Sequence, residues 1–235
     1  VTYAVVHAEY EFGEDPNKLN KHVAEIVNKY PDKFFGFGTV DLSNLQPFYL
    51  MKQVEKIHEL QLKGINMQPV FFDVDPLDRR LYPVYATAEK LGLIISFHTG
   101  VHFSLKTSIE TNNPLFIDQI AVDFPTLKIV ACHAGWPWIP EMVAIARRHS
   151  NVYLEFGGLN PKYIGYPGSG WETMFSLMNN LLSEQILFGT DWPVITMSKA
   201  IEGWKQLGLK EETLNKVFFE NAYKLLGIKR RDEVV

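Results

Sequence analysis

The sequence predicts an α/β fold built on a parallel sheet. Short apolar runs alternate with longer helical patterns along all 235 residues. The centres of successive runs stand mostly about 30 residues apart, the length of one strand-and-helix unit. The runs are nearly continuous in apolar residues, as suits parallel strands covered on both faces.

Seven runs read as strands: 3–9 (YAVVHAE), 34–40 (FFGFGTV), 64–70 (GINMQPV), 94–100 (IISFHTG), 128–133 (KIVACH), 152–156 (VYLEF) and 186–189 (ILFG). The segments between them read as helices. Residues 17–30 place Leu19, Val23, Ile26 and Val27 on one face. Residues 47–62, 81–91, 114–123, 139–149 and 173–182 follow the same rule. A last helix over 211–226 stops at Gly227, a common C-terminal signal. No linker or compositional break interrupts the alternation, so residues 1–235 read as a single domain.

Two α/β architectures fit such an order. A doubly wound sheet usually carries a Gly-rich phosphate loop after an early strand, and neither common form of that loop occurs here. A (β/α)8 TIM barrel gathers its polar residues at the C-terminal ends of its strands. That is the pattern in this chain, except that seven strands are visible instead of eight.

Composition narrows the functional classes. The formal net charge is −4, with 46% hydrophobic and 21% charged residues. No basic field exists for nucleic acid. No apolar run approaches the roughly 20 residues of a membrane span. A single cysteine, Cys132, excludes an intrachain disulfide framework and a Cys-rich zinc site. The expected setting is cytoplasmic and the expected partner a small-molecule substrate.

The chemistry gathers at three strand ends: His98 in SFHTG, His133 in ACHAGW and Asp191 in FGTDWP. In a parallel barrel these ends open on one face, so residues far apart in sequence converge. Two imidazoles and a carboxylate suit a borderline divalent metal such as zinc, which needs about three protein ligands and an open position for water. Each residue alone has a plainer reading, a hydrogen-bonded histidine or a turn aspartate. Together they interrupt hydrophobic strands at the same relative place, where unpaired burial would be costly. His22, His58 and His149 fall on predicted helices and read as surface or helix-end residues. His7 lies inside the first visible strand, and His102 in a loop at the mouth. Trp136, Trp138 and Trp192 offer an aromatic wall or loop packing. Glu155 sits near a strand end, facing either the site or a structural hydrogen bond. Arg79 and Arg80 lie among Asp73, Asp75 and Asp78, where local ion pairing is the default.

At these residues the chain resembles the amidohydrolase-related family of metal-dependent hydrolases, near the decarboxylases related to aminocarboxymuconate semialdehyde decarboxylase. The resemblance runs through YAVVHAEYEFG, KYPDKFFGFGTVD, RRLYPVYATAEKLGLIISFHTG, AVDFPTLKIVACHAGWPW, VYLEFGGL, ILFGTDWPV and FFENAYKLLG. It implies a (β/α)8 barrel in which His98 and Asp191 bind one divalent ion, zinc in the first instance. His133 would be a further ligand or a catalytic base, and Asp191 would also take a proton from bound water. Trp136, Glu155 and His102 would contact substrate, and a homodimer is implied because relatives are often dimers.

The chain departs from the family pattern in two places. No His-x-His pair occurs, which places the first visible run at the family's second strand and makes the first strand appear missing. Asn66 stands in Asn66-Met67-Gln68-Pro69, where two-metal members use a modified Lys, so one metal is expected. The leading expectation is hydrolysis of a small carboxylate, amide or lactone by a metal-activated water. Non-oxidative decarboxylation is the alternative, and a metal-free, non-enzymatic barrel is a further one.

Overall fold

The computed structural model describes residues 2–11 and 13–228. Its sheet has seven strands, which follow one another in chain order. They are β1 (Ala4–His7), β2 (Phe34–Gly38), β3 (Gly64–Met67), β4 (Ile94–His98), β5 (Ile129–Cys132), β6 (Val152–Glu155) and β7 (Ile186–Leu187). All seven lie within the predicted runs: β1 and β5 are trimmed at both ends, and β2, β3, β4, β6 and β7 at the C-terminal end alone; the α/β class is as expected. The contacts divide the chain into two compact units.

One unit takes the chain up to His98, then His102–Asn112 and Phe116–Val130. In it β1 to β4 pair in parallel, with Ala4 opposite Phe34, Phe37 opposite Gly64 and Gly64 opposite Ile94. The helices are α1 (Pro16–Lys29), α2 (Pro47–Glu59), α3 (Tyr82–Leu91) and most of α4 (Leu115–Asp123). Local chemistry sets their ends. Asp15 caps α1 by accepting from the Asn17 N–H at 2.9 Å, and Pro16 starts the first turn. Gln46 accepts from the Tyr49 N–H at 2.6 Å at the start of α2, again with a proline in the first turn. β3 and β4 are buried through Ile65, Met67, Ile95 and Phe97, and α2 and α3 bury Leu50, Val54, Ile57, Val84 and Tyr85. Removing such surface from water contributes about 25 cal/mol per Å².

The other unit takes Thr99–Val101, Asn113–Leu115 and the chain from Ala131 onward. Here β6 and β7 pair in parallel, Leu154 opposite Ile186. The helices are α5 (Ile139–Arg148), α6 (Glu172–Leu177), α7 (Met197–Lys205), α8 (Glu211–Asn215) and α9 (Asn221–Leu226). Two buried amides pin the unit together. The Gln185 Nε2 reaches the carbonyls of Ala146, His149 and Val152 at 2.6, 2.9 and 2.7 Å. The Asn221 Nδ2 donates to the carbonyls of Ser183 and Ile186, both at 2.8 Å.

Three helical expectations change. The helix expected over 173–182 ends at Leu177. The Asn180 side chain accepts from the Leu181 N–H at 2.6 Å, offering the backbone an alternative to the helical ladder. The last helix is interrupted by a π turn over Lys216–Glu220, although it does end at Gly227 in the left-handed conformation. α7 lies where no helix is expected, because TMSKAIEGWK carries few apolar residues and buries only Ala200 and Trp204.

Candidate active site

The second unit brings two of the three predicted strand-end residues together. His133 follows β5 and Asp191 lies four residues beyond β7. Both adopt the left-handed backbone conformation, φ 61° at His133 and 51° at Asp191. That conformation costs a non-glycine residue on the order of 1–2 kcal/mol, although His and Asp tolerate it better than most. Ala134 (φ 46°) and Gly135 (φ 73°) continue the left-handed turn after His133. The peptide bonds before Pro137 and Pro193 are cis.

The turn after β5 is braced by the residues that follow His98. The Thr99 hydroxyl donates to the Cys132 carbonyl and accepts from the Gly135 N–H at 3.1 Å. The Val101 N–H donates to the Trp136 carbonyl at 2.7 Å. A β-carbon on Gly100 (φ 80°) would fall on that same carbonyl oxygen, so glycine is required. Thr99 and Gly100 of the HTG motif therefore shape the HAGW turn.

Around His133 the groups are arranged by polarity. Its Nδ1 lies 2.7 Å from the Gly157 carbonyl oxygen. A carbonyl only accepts, so Nδ1 carries a proton, and in the neutral form of the ring the lone pair lies at Nε2. A histidine oriented in this way, with its second nitrogen donating to a backbone carbonyl, is the usual posture of a metal-binding or proton-accepting imidazole. Gly158 (φ 72°) faces both candidates. A β-carbon there would stand 3.1 Å from Asp191 Oδ2 and 3.2 Å from His133 Nδ1. Asp191 is exposed, whereas His133 is half-buried.

Glu155 closes this group from the end of β6. Its Oε1 accepts from the Gly157 N–H at 2.6 Å. Burial raises its pKa and the neighbouring Asp191 carboxylate adds to that, while the positive side of His133 and the backbone N–H groups of Gly157 and His133 oppose the rise.

His98 belongs to the first unit, at the end of β4. The Asn112 amide nitrogen stands 2.8 Å from its Nδ1, and Asn112 is 1% exposed. In this arrangement the amide donates and Nδ1 accepts; turning the amide over reverses the two roles. Phe71 lies edge-on to both His98 and His102, with ring centroids at 5.1 and 5.6 Å. His102 is buried and its Nδ1 has no hydrogen-bond partner. Among the described residues no group of three or more His, Cys, Asp and Glu side chains is arranged to hold a metal ion.

The other predicted residues fall as follows. Trp136 and Trp192 are exposed and Trp138 is half-buried. His22 and His58 are exposed on helices, His149 is half-buried, and His7 is exposed and stacked on Phe37 at 5.3 Å. Arg80 pairs with Asp78 at 2.5 Å, the local ion pair expected there. Sequence reasoning assigned no role to Gly157, Gly158 or Thr99. The double glycine in EFGGL, directly after a strand, was the available signal for a close approach at that place.

The family model described as amidohydrolase matches residues 3–228, and the chain belongs to that family. One curated relative is a 2-amino-3-carboxymuconate-6-semialdehyde decarboxylase from Dictyostelium discoideum, 22% identical over 89% of this chain. The match spans 66% of that relative's length, just under two thirds. A second is a gamma-resorcylate decarboxylase from Rhodococcus jostii, 22% identical over 91% of this chain and 76% of the relative. Among solved structures, an uncharacterized TIM-barrel protein from Bordetella bronchiseptica superposes with a TM-score of 0.82 at 29% identity, over 96% of this chain and 78% of the other. A dihydroxybenzoic acid decarboxylase from Polaromonas, with bound manganese and an inhibitor, gives 0.69 at 17% identity, over 93% and 76%. These names favour decarboxylation over the hydrolysis that leads the sequence reading.

Proposed function

We propose that this chain is a metal-dependent, non-oxidative decarboxylase of a small aromatic or unsaturated carboxylic acid. The observation that carries the reading is that both curated relatives, each aligned over about nine-tenths of this chain, are named as decarboxylases. The donor set supports a divalent ion: a carboxylate at Asp191 and an imidazole at His133 whose ring is already oriented by the Gly157 carbonyl. We assign His98, His133 and Asp191 as its protein ligands from their matching places at strand ends. Manganese is as fitting as zinc, since imidazole and carboxylate serve both. Bound there, the ion would orient the substrate's carboxylate and lower the pKa of water toward ~7.

The reaction breaks the bond between the ring or alkene carbon and its carboxylate carbon. Carbon dioxide leaves and a proton takes its place on the carbon. Asp191 is assigned to deliver and hold that proton; His133 takes that role, through the lone pair at Nε2, where it serves as base instead of as a third ligand. Trp136, three residues beyond His133, offers a flat apolar face to an unsaturated acid. His102, with an unpartnered buried nitrogen, is assigned to a polar substituent of the substrate.

The test is a substrate panel on the metal-loaded full chain: carboxylated phenols such as 2,6-dihydroxybenzoate, and lactones. Release of carbon dioxide from the acids supports the reading. Lactone hydrolysis without it would overturn it in favour of hydrolase chemistry.

A further inference from the structure

The sequence offers Glu155 as a substrate contact. We propose instead that Glu155 is the positioning residue of the His133–Asp191 pair, its carboxyl group holding the turns that end β5 and β6 and seating the backbone that ends β7.

Three observations converge on that carboxyl group. The first is the bond from the Gly157 N–H to Oε1 at 2.6 Å, supported by the His133 backbone N–H. The second is the chain of contacts leading from it. Gly157, held through its N–H, presents its carbonyl to His133 Nδ1 at 2.7 Å, so the bond that sets the imidazole's rotation begins at Glu155. The third is at β7. A β-carbon on Gly189 would fall on Glu155 Oε1, so the backbone two residues before Asp191 lies directly against the carboxyl group. A β-carbon on Gly157 would stand 3.1 Å from the Asp191 nitrogen, which ties the turns after β6 and β7 together.

The physical reason is polarity. An enclosed carboxyl group is costly unless hydrogen-bonded, and backbone N–H groups satisfy it with charge-assisted bonds about twice as strong as neutral ones. Such a group fixes backbone. His133 and Asp191 both sit in left-handed backbone, which persists only where the surroundings over-determine it. Glu155 is the side chain common to those surroundings.

The test compares Glu155→Ala, Glu155→Gln and Gly189→Ala in the purified full chain. Its first readout is the exchange rate of the His133 Nδ1 proton by NMR of protein carrying ¹⁵N-labelled histidine, assigned against His133→Asn. Glu155→Ala should speed that exchange at least tenfold. Glu155→Gln should restore slow exchange, because its amide oxygen still accepts from Gly157. Gly189→Ala should act like Glu155→Ala by displacing the carboxyl group, and it serves in its place if Glu155→Ala does not fold. The double variant should be no worse than either single one. Unchanged exchange in a folded Glu155→Ala or Gly189→Ala protein would overturn the proposal. The second readout rests on the decarboxylase reading. There kcat should fall about 100-fold with KM nearly constant, as for a misplaced catalytic group. A raised KM at constant kcat would return Glu155 to the substrate contacts. Proton exchange does not depend on carbon dioxide release, so failure of this inference and failure of the decarboxylase reading are separable.

Discussion

His133 and Asp191, 58 positions apart in the sequence, reach the same point of the structure: the α-carbon face of Gly158, within 3.2 and 3.1 Å of where a β-carbon would stand. Each arrives from a strand end through left-handed backbone. One supplies an imidazole with a defined tautomer, the other an exposed carboxylate. A β-carbon at Gly158 would press on both side chains, and Gly158 itself holds a left-handed φ of 72°.

Gly158→Ala should therefore be damaging twice over. The added methyl presses on both reacting groups, and alanine at φ 72° is strained. We expect a loss of about 1–2 kcal/mol in urea unfolding, together with weaker binding of divalent metal by calorimetry. A stability within error of the parent protein would contradict the geometry.

His133→Asn keeps a residue that tolerates left-handed backbone while removing the imidazole. It should fold with nearly the parent melting temperature. Carbon dioxide release should drop by roughly 10²–10⁴-fold, the range for loss of a general acid–base group.

His98→Ala tests the metal assignment. Elemental mass spectrometry of the manganese-loaded full chain should give about one ion per chain, and the variant should hold markedly less. If both metal content and activity survive the change, His98 is not a ligand.

Gln185→Leu removes the buried amide that serves the carbonyls of Ala146, His149 and Val152. The His149 carbonyl keeps the Val152 N–H at 3.1 Å, so the loss falls on the buried Ala146 and Val152 carbonyls; at about 1–3 kcal/mol for each unsatisfied acceptor it should appear as a lower urea midpoint. Asn180→Ala, at an exposed turn, should cost far less.

Tyr10 gives a signature at high pH. Its hydroxyl donates to Asp41 at 2.7 Å. Burial chiefly, with help from the Asp41 carboxylate, pushes its pKa up to about 12. A phenol whose pKa is higher folded than unfolded keeps its proton more firmly in the native state. Its contribution to stability is complete below pH ~10 and is lost as pH rises from there through about 12. Unfolding monitored across that window should steepen in the parent protein and less so in Tyr10→Phe.

Much of the fold was legible because it is written in local chemistry. All seven strands lie where β-branched and aromatic runs stand, and the stop at Gly227 acts as its residue type predicts. α7 was not legible, because its sequence carries too narrow an apolar stripe. Nor was the early end of α6, where one asparagine side chain competes with the helical ladder.

The sequence by itself determined the residue types at the strand ends, hence the chemistry of His98, His133 and Asp191, and the family they mark. Only the tertiary structure decided which of them meet and what holds them. The convergence of His133 with Asp191 at Gly158, the bond from His133 to the Gly157 carbonyl, and the bracing of the HAGW turn by Thr99 and Gly100 are contacts between segments 24 to 58 positions apart. Spacing along a chain fixes a residue's place on its strand. The strained turn that aims its side chain is set by hydrogen bonds from other strands, which no local pattern encodes.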